Sequence, residues 1–292
     1  MMKLALTSIA MAFNTHCAFA YDVLASDALC GRGSGAFMAD TSLPVDATFL
    51  AGLLRTDARV VARYLDYFPA TEHRSTEPDE PDPQIRKESR VGKTIRQHEV
   101  AALRAFAMDL VLVFQHHNDD ARSFAMQPSR GYSDGMRALD LVKALGLHSP
   151  TGGVIYFGVD QDFVGPKGHK SFPHSDNVLR YFDAVAEAFI ARNSPSRIGV
   201  YGSGYACEQV IGRLRSNFPS VAGYCWLSNA AGHWGSAAIR DVFDQAPKSL
   251  AAEAAPVVLA QHREGTCEGL NRPVDFSVRR PGVTDVGAFS LR

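Results

Sequence analysis

Two aspartates two positions apart, Asp160 and Asp162, are the densest chemical signal in the sequence. On extended chain, residues i and i+2 share a side, so both carboxyls point the same way. Held close, they do not both ionise readily, and one pKa rises. A protonated carboxyl beside an ionised one is the pairing that glycoside cleavage uses. One group protonates the leaving oxygen and the other supports the cationic transition state. A lone aspartate at a strand end more often caps the loop that follows, and D-x-D by itself is a weak motif. A catalytic role gains weight only if further carboxylates and rings converge on the same place.

The elements around the pair predict that convergence. Asp160 closes the apolar run 153–160 (GVIYFGVD). Seven other short runs read as strands: 36–40, 59–65, 109–115, 197–201, 221–228, 256–261 and 273–278. Helical patterns fall at 45–54, from Thr94 to about 108, from Ser133 to 145, and at 177–192, 205–216 and 237–245. Thr94 and Gln97 have capping-box spacing, Ser133 is a candidate cap, and Gly146 sits where a helix C-terminal glycine belongs. Continuous apolar strands separated by helices mark a parallel sheet covered on its outer face. Eight such units predict an α/β fold closed as a single TIM-like β/α barrel, for which about 250 residues suffice. The interval between Gln261 and Pro273 is too short for a crossover helix, so the last strand is expected to return antiparallel. The Pro/Glu/Asp-rich stretch 69–93 reads as a loop insertion inside this one domain.

Barrel chemistry sits at the C-terminal ends of the strands. The candidates there are Asp40, Asp160, Asp162 and Asp275 as catalytic carboxylates. Tyr64, Gln115, Tyr201, Trp226 and Gln261 are the candidate substrate-binding residues. Tyr64, Phe163, Tyr201 and Trp226 could stack on sugar faces.

In order, the chain carries F-M-A-D-T (37–41), A-R-Y-L (62–65), T-x-x-x-x-E (94–99), F-Q (114–115), I-Y-F-x-V-D-x-D (155–162), I-G-V-Y-G (198–202), W-L-S (226–228) and a final Gln261 with V-D-F-S (274–277). From about residue 34 to 278 this resembles secreted bacterial glycoside hydrolase-like domains related in fold to family-25 lysozymes. The resemblance implies a flattened barrel with irregular last strands, acting on a cell-envelope glycan, above all peptidoglycan. It places Asp40, Asp160 and Asp275 on three lysozyme aspartates. Asp162 falls where the lysozymes have their catalytic glutamate. Aspartate is one methylene shorter, about 1.5 Å of reach, and misplacement on that scale costs orders of magnitude in rate. That position separates a glycosidase from a glycan-binding module that kept the cleft and lost the acid. Glu99 also matches a family position and reads as structural.

Composition excludes other classes. With 292 residues, 46% of them hydrophobic, the chain is too apolar for disorder. Thirty basic against 31 acidic residues give a net charge of -1, which offers no field for nucleic acid or an anionic membrane. Residues 1–20 read as a signal peptide: Lys3, an apolar stretch, then Ala18-Phe19-Ala20 ahead of Tyr21. The expected product is a secreted or periplasmic domain, 21–292, with no other stretch long enough to span a bilayer. It keeps Cys30, Cys207, Cys225 and Cys267, which allow three disulfide pairings, with four free buried thiols as the alternative. No cofactor is implied. A metal site on the adjacent His116 and His117 lacks a third ligand at useful spacing. His169 and His174 read as solvated loop residues. The Gly31–Gly35 glycines precede the first strand and lack a P-loop lysine, so they read as a flexible entry segment.

Overall fold

The computed structural model describes residues 35–65, 93–115, 130–147, 152–159, 175–228, 257–267 and 269–291. The expected signal peptide, the insertion up to residue 92, the helix at 237–245, the four singled-out histidines, Phe163, Cys30, Asp160 and Asp162 lie outside them.

Eight strands close a barrel in sequence order. They are β1 (Ala36–Asp40), β2 (Val60–Tyr64), β3 (Asp109–Phe114), β4 (Val154–Val159), β5 (Arg197–Gly202), β6 (Ala222–Leu227), β7 (Val257–Thr266) and β8 (Pro273–Arg279). The pairs from β1–β2 through β6–β7 are parallel. β8 runs antiparallel to both β7 and β1, as the short interval before it predicts. The helices are α1 (Ala47–Leu53), α2 (Gln97–Ala105), α3 (Arg130–Ala144), α4 (Ser175–Ala191) and α5 (Gly204–Asn217).

Strand alternation splits the core in two. One side of each strand meets the helices, through Phe49, Leu103, Phe114, Phe157, Phe182 and Phe189 among others. The other fills the barrel with Met38, Ala62, Val111, Val113, Tyr156 and Trp226. The interior is therefore packed, and ligands are confined to its rim. At the N-terminal end of β4 the segment 283–291 seals the barrel. Val154 donates to the Gly287 carbonyl, Leu110 and Phe289 exchange backbone bonds, and the Tyr156 hydroxyl donates to Val286 at 2.7 Å. Asp285 pins the segment through Arg197 and Tyr224.

Two helix starts differ from the sequence reading. α2 begins at Gln97 with Arg96 as its cap residue, and the Glu99 carboxylate reaches back to the Arg96 N–H at 3.0 Å. Thr94 instead bridges to Tyr64 as a continuation of the sheet, so the capping box sits two residues later than predicted. α3 begins at Arg130; Ser133 lies inside it and donates to the Arg130 carbonyl instead of capping. Gly146 does end that helix, at φ +68°. α1 and α5 carry side-chain caps, Asp46 accepting from Phe49 N and Ser203 from Ala206 N.

Cys207 of α5 and Cys225 of β6 form a disulfide with Cα atoms 5.6 Å apart. Cys267 is also disulfide-bonded, to a partner outside the described residues.

Candidate functional site

Strand pleating turns Asp40, Tyr64, Tyr201, Trp226 and Gln261 to the inner side at the C-terminal end of the parallel strands. Asp275 joins them from β8 by direct pairing with Asp40 across the β1–β8 ladder. Asp40 is only 3% exposed, and its Oδ2 accepts from the Tyr64 hydroxyl at 3.2 Å. Burial drives the Tyr64 pKa well above the ordinary phenol value, and the charges of Asp40, Tyr201 and Asp275 push it the same way. Tyr64 therefore remains a proton donor to Asp40, and these four residues share one space. The Lys93 ammonium lies over the Tyr64 ring, 4.1 Å from its centre. That cation covers one face of a ring expected to stack on a sugar.

On the other side, the Tyr201 hydroxyl donates to Gln261 Oε1 at 2.9 Å. The Tyr201 ring leans on Trp226 with centroids 4.4 Å apart. Trp226 is fully buried, stands edge-on to Tyr156 at 5.8 Å, and donates to Ser277 Oγ at 3.0 Å. Here Trp226 departs from its expected part: its ring presents no open face for a sugar and instead props Tyr201. Gln115 follows β3 and lies across Gly158 of β4; a Cβ on that glycine would meet the Gln115 Cγ at 3.0 Å. Gly199 makes similar room for Tyr156.

Of the nine candidates, Asp40, Tyr64, Tyr201, Trp226, Gln261 and Asp275 are gathered on this inner face, and Gln115 borders it at Gly158. The structure is silent on the positions of Asp160 and Asp162, which follow β4 in sequence. Several groups at or near the site carry little signal in the sequence. Lys93 gave no warning, being the last residue of an apparent loop. Ser277 supports Trp226. Ser228 Oγ is buried and makes no hydrogen bond among the described residues. Arg63 left a readable signal: an arginine on the outward side of a buried strand needs a partner. It has Glu99, at 3.1 Å. Among the described residues no three His, Cys, Asp or Glu side chains group to hold a metal, and no helix is long and apolar enough to cross a membrane.

The class defined here is an eight-stranded β/α barrel with carboxylates and tyrosines at its C-terminal rim. Residues 80–258 match the sequence model of the Rv2525c-like, glycoside hydrolase-like domain, and the chain belongs to that family. The match includes Asp160 and Asp162 but stops short of Asp40 and Asp275. Among solved structures, the chain is similar to the Tat-secreted protein Rv2525c of Mycobacterium tuberculosis in its complex with HEPES. The two share 17% identity over 87% of this chain and 99% of that one, with a TM-score of 0.52. The L-tartrate complex of the same protein gives 16% identity, 86% and 98% coverage and 0.51. A glycosyl hydrolase 25 of Streptococcus pneumoniae overlaps at 11% identity over 84% of this chain and 86% of that one, with a TM-score of 0.43. No curated protein matches the sequence.

Proposed function

We propose that the chain is a secreted glycoside hydrolase-like protein that acts on a cell-envelope glycan, peptidoglycan, by carboxylate acid–base chemistry. The observation that carries this reading is the meeting of Asp40, Tyr64 and Asp275 at the rim where Asp160 and Asp162 follow β4 in sequence. Asp162 is the acid and Asp160 its ionised partner. Asp40 and Asp275 tune the charge or bind sugar hydroxyls. Tyr64, Gln115, Tyr201 and Gln261 contact substrate, with Trp226 behind them. Export is supported by the leader-like segment 1–20, by the Cys207–Cys225 disulfide, and by the secretion of the mycobacterial relative.

Purified peptidoglycan incubated with the protein should release new reducing ends. Asp162→Asn should abolish that release with Tm unchanged or higher, since a like-charge pair is relieved. The aspartate at 162 favours one competing reading, a non-catalytic glycan-binding module. In that case wild type releases nothing, yet Tyr201→Ala weakens glycan retention in a pull-down. If neither release nor retention occurs, both readings fall. Exported material should begin at Tyr21 on N-terminal sequencing; material that retains Met1 would remove the leader reading.

A further inference from the structure

We infer that Arg63 and Glu99 are positioning residues, whose buried ion pair fixes the 41–45 turn and thereby sets Asp40 against Tyr64. The functional side of this inference rests on the glycan-site reading above. Consecutive residues of β2 grip consecutive residues at the end of β1. Tyr64, facing inward, holds the Asp40 carboxylate. Arg63, facing outward, donates from Nη1 to the Thr41 carbonyl at 2.6 Å. The far end of the same turn is held by Glu99, whose Oε2 accepts from the Val45 N–H at 2.6 Å and from Arg63 Nε at 3.1 Å. Its other oxygen accepts from Arg96 N at the start of α2. One carboxylate thus ties together β2, α2 and the turn that leaves Asp40.

Both side chains are 0% exposed. Burial lowers the Arg63 pKa, and the charges of Glu99 and Asp40 oppose that shift. The Arg63 cation therefore also feels Asp40 through the strand wall. A buried ion pair is a poor way to gain stability, because desolvating both ions offsets much of their attraction. Its distinctive property is directional: a planar guanidinium reaches a carbonyl and a carboxylate at once in fixed geometry. An apolar pair of equal volume holds neither Thr41 O nor Val45 N.

The test uses Arg63→Lys, Glu99→Gln and Arg63→Met in the full-length protein. Each variant is checked for cooperative unfolding, assayed on purified peptidoglycan, and crystallised to measure the Tyr64 Oη–Asp40 Oδ2 separation. Arg63→Lys and Glu99→Gln should fold, lose at least tenfold in kcat with KM within threefold, and show Asp40 withdrawn from Tyr64. Arg63→Met should lose more, so that lysine is a partial rescue. Unchanged kcat with Asp40 still on Tyr64 in the two conservative variants would overturn the inference. A wild type that turns over no glycan defeats the glycosidase reading instead; the Tyr64–Asp40 separation in the same crystals then decides the positioning role alone.

Discussion

Asp40 and Asp275 stand directly opposite each other in the antiparallel β1–β8 pair. Directly opposed residues have Cβ atoms about 5 Å apart, and like charges there are destabilising. The first and last strands of the barrel therefore close against a repulsion, which fits a contact kept for chemistry more than for strength. Asp275→Asn should stabilise the fold by about 0.5 kcal/mol at neutral pH. Chemical denaturation at pH 7 measures it; a loss of stability there would contradict the repulsion.

Tyr64 makes the protein sensitive to base. Its folded pKa is raised, and so is that of Tyr156, whose burial is the main cause. A raised phenol stays protonated in the fold while the unfolded chain ionises near pH 10, so stability is present below that value and lost above it. Each such tyrosine should steepen the decline by about 1.4 kcal/mol per pH unit above about pH 10. Tyr64→Phe should remove one share of that slope while the Tyr156 share remains. Urea unfolding midpoints between pH 8 and 11 would show it, and parallel curves for wild type and variant would refute it.

Two interior glycines should respond differently to alanine. At Gly199 a Cβ would lie 2.6 Å from Tyr156 Cδ1 and from Val154 Cγ1, both in the packed interior. Gly199→Ala should cost about 1–3 kcal/mol as Tyr156 is pushed aside. At Gly158 the nearest atoms are the Gln115 Cγ at 3.0 Å and Cβ at 3.3 Å, close contacts that a shift of a few tenths of an ångström relieves. Gly158→Ala should leave Tm within a few degrees but displace Gln115 and weaken glycan retention. Equal Tm losses at the two positions would show that the rim is as tightly packed as the interior.

The Cys207–Cys225 bridge closes a short loop, 18 residues in sequence, between α5 and the strand that carries Trp226. Removing a cross-link of that span should cost about 3 kcal/mol. Replacing both cysteines with alanine should lower Tm by several degrees with no change in the far-ultraviolet circular dichroism of the native protein. An unchanged Tm would place the stability of that corner in its packing alone.

Much of this was legible in the residues, for physical reasons. The eight apolar runs are strands because buried parallel strands have no polar face to interrupt them. Asp40, Tyr64, Tyr201, Gln261 and Asp275 could be nominated because a barrel gathers strand ends whatever their separation along the chain. Helix starts were less legible: Thr94 and Ser133 have the right chemistry for caps, but sheet pairing claimed one and an earlier helix start enclosed the other. Contacts between distant segments left little periodic trace. Nothing in the pattern announced that Lys93 would cover Tyr64, or that residues 283–291 would bind across β3 and β4. The Arg63–Glu99 pair was half legible, as a charged residue without an evident partner in an apolar strand.

The closure through β8 has a consequence for the growing chain. β1 is paired on one side by β2, yet its other side waits for residues 273–279, more than two hundred positions later. Until those residues emerge, both β1 and β7 present open hydrogen-bonding edges, the kind of surface on which chains mispair. Joining must also bring Asp275 up to Asp40 against their mutual repulsion. The same two carboxylates that mark the rim thus sit on the last seam to be sewn, and a lapse in synthesis before β8 leaves an open sheet rather than a damaged barrel.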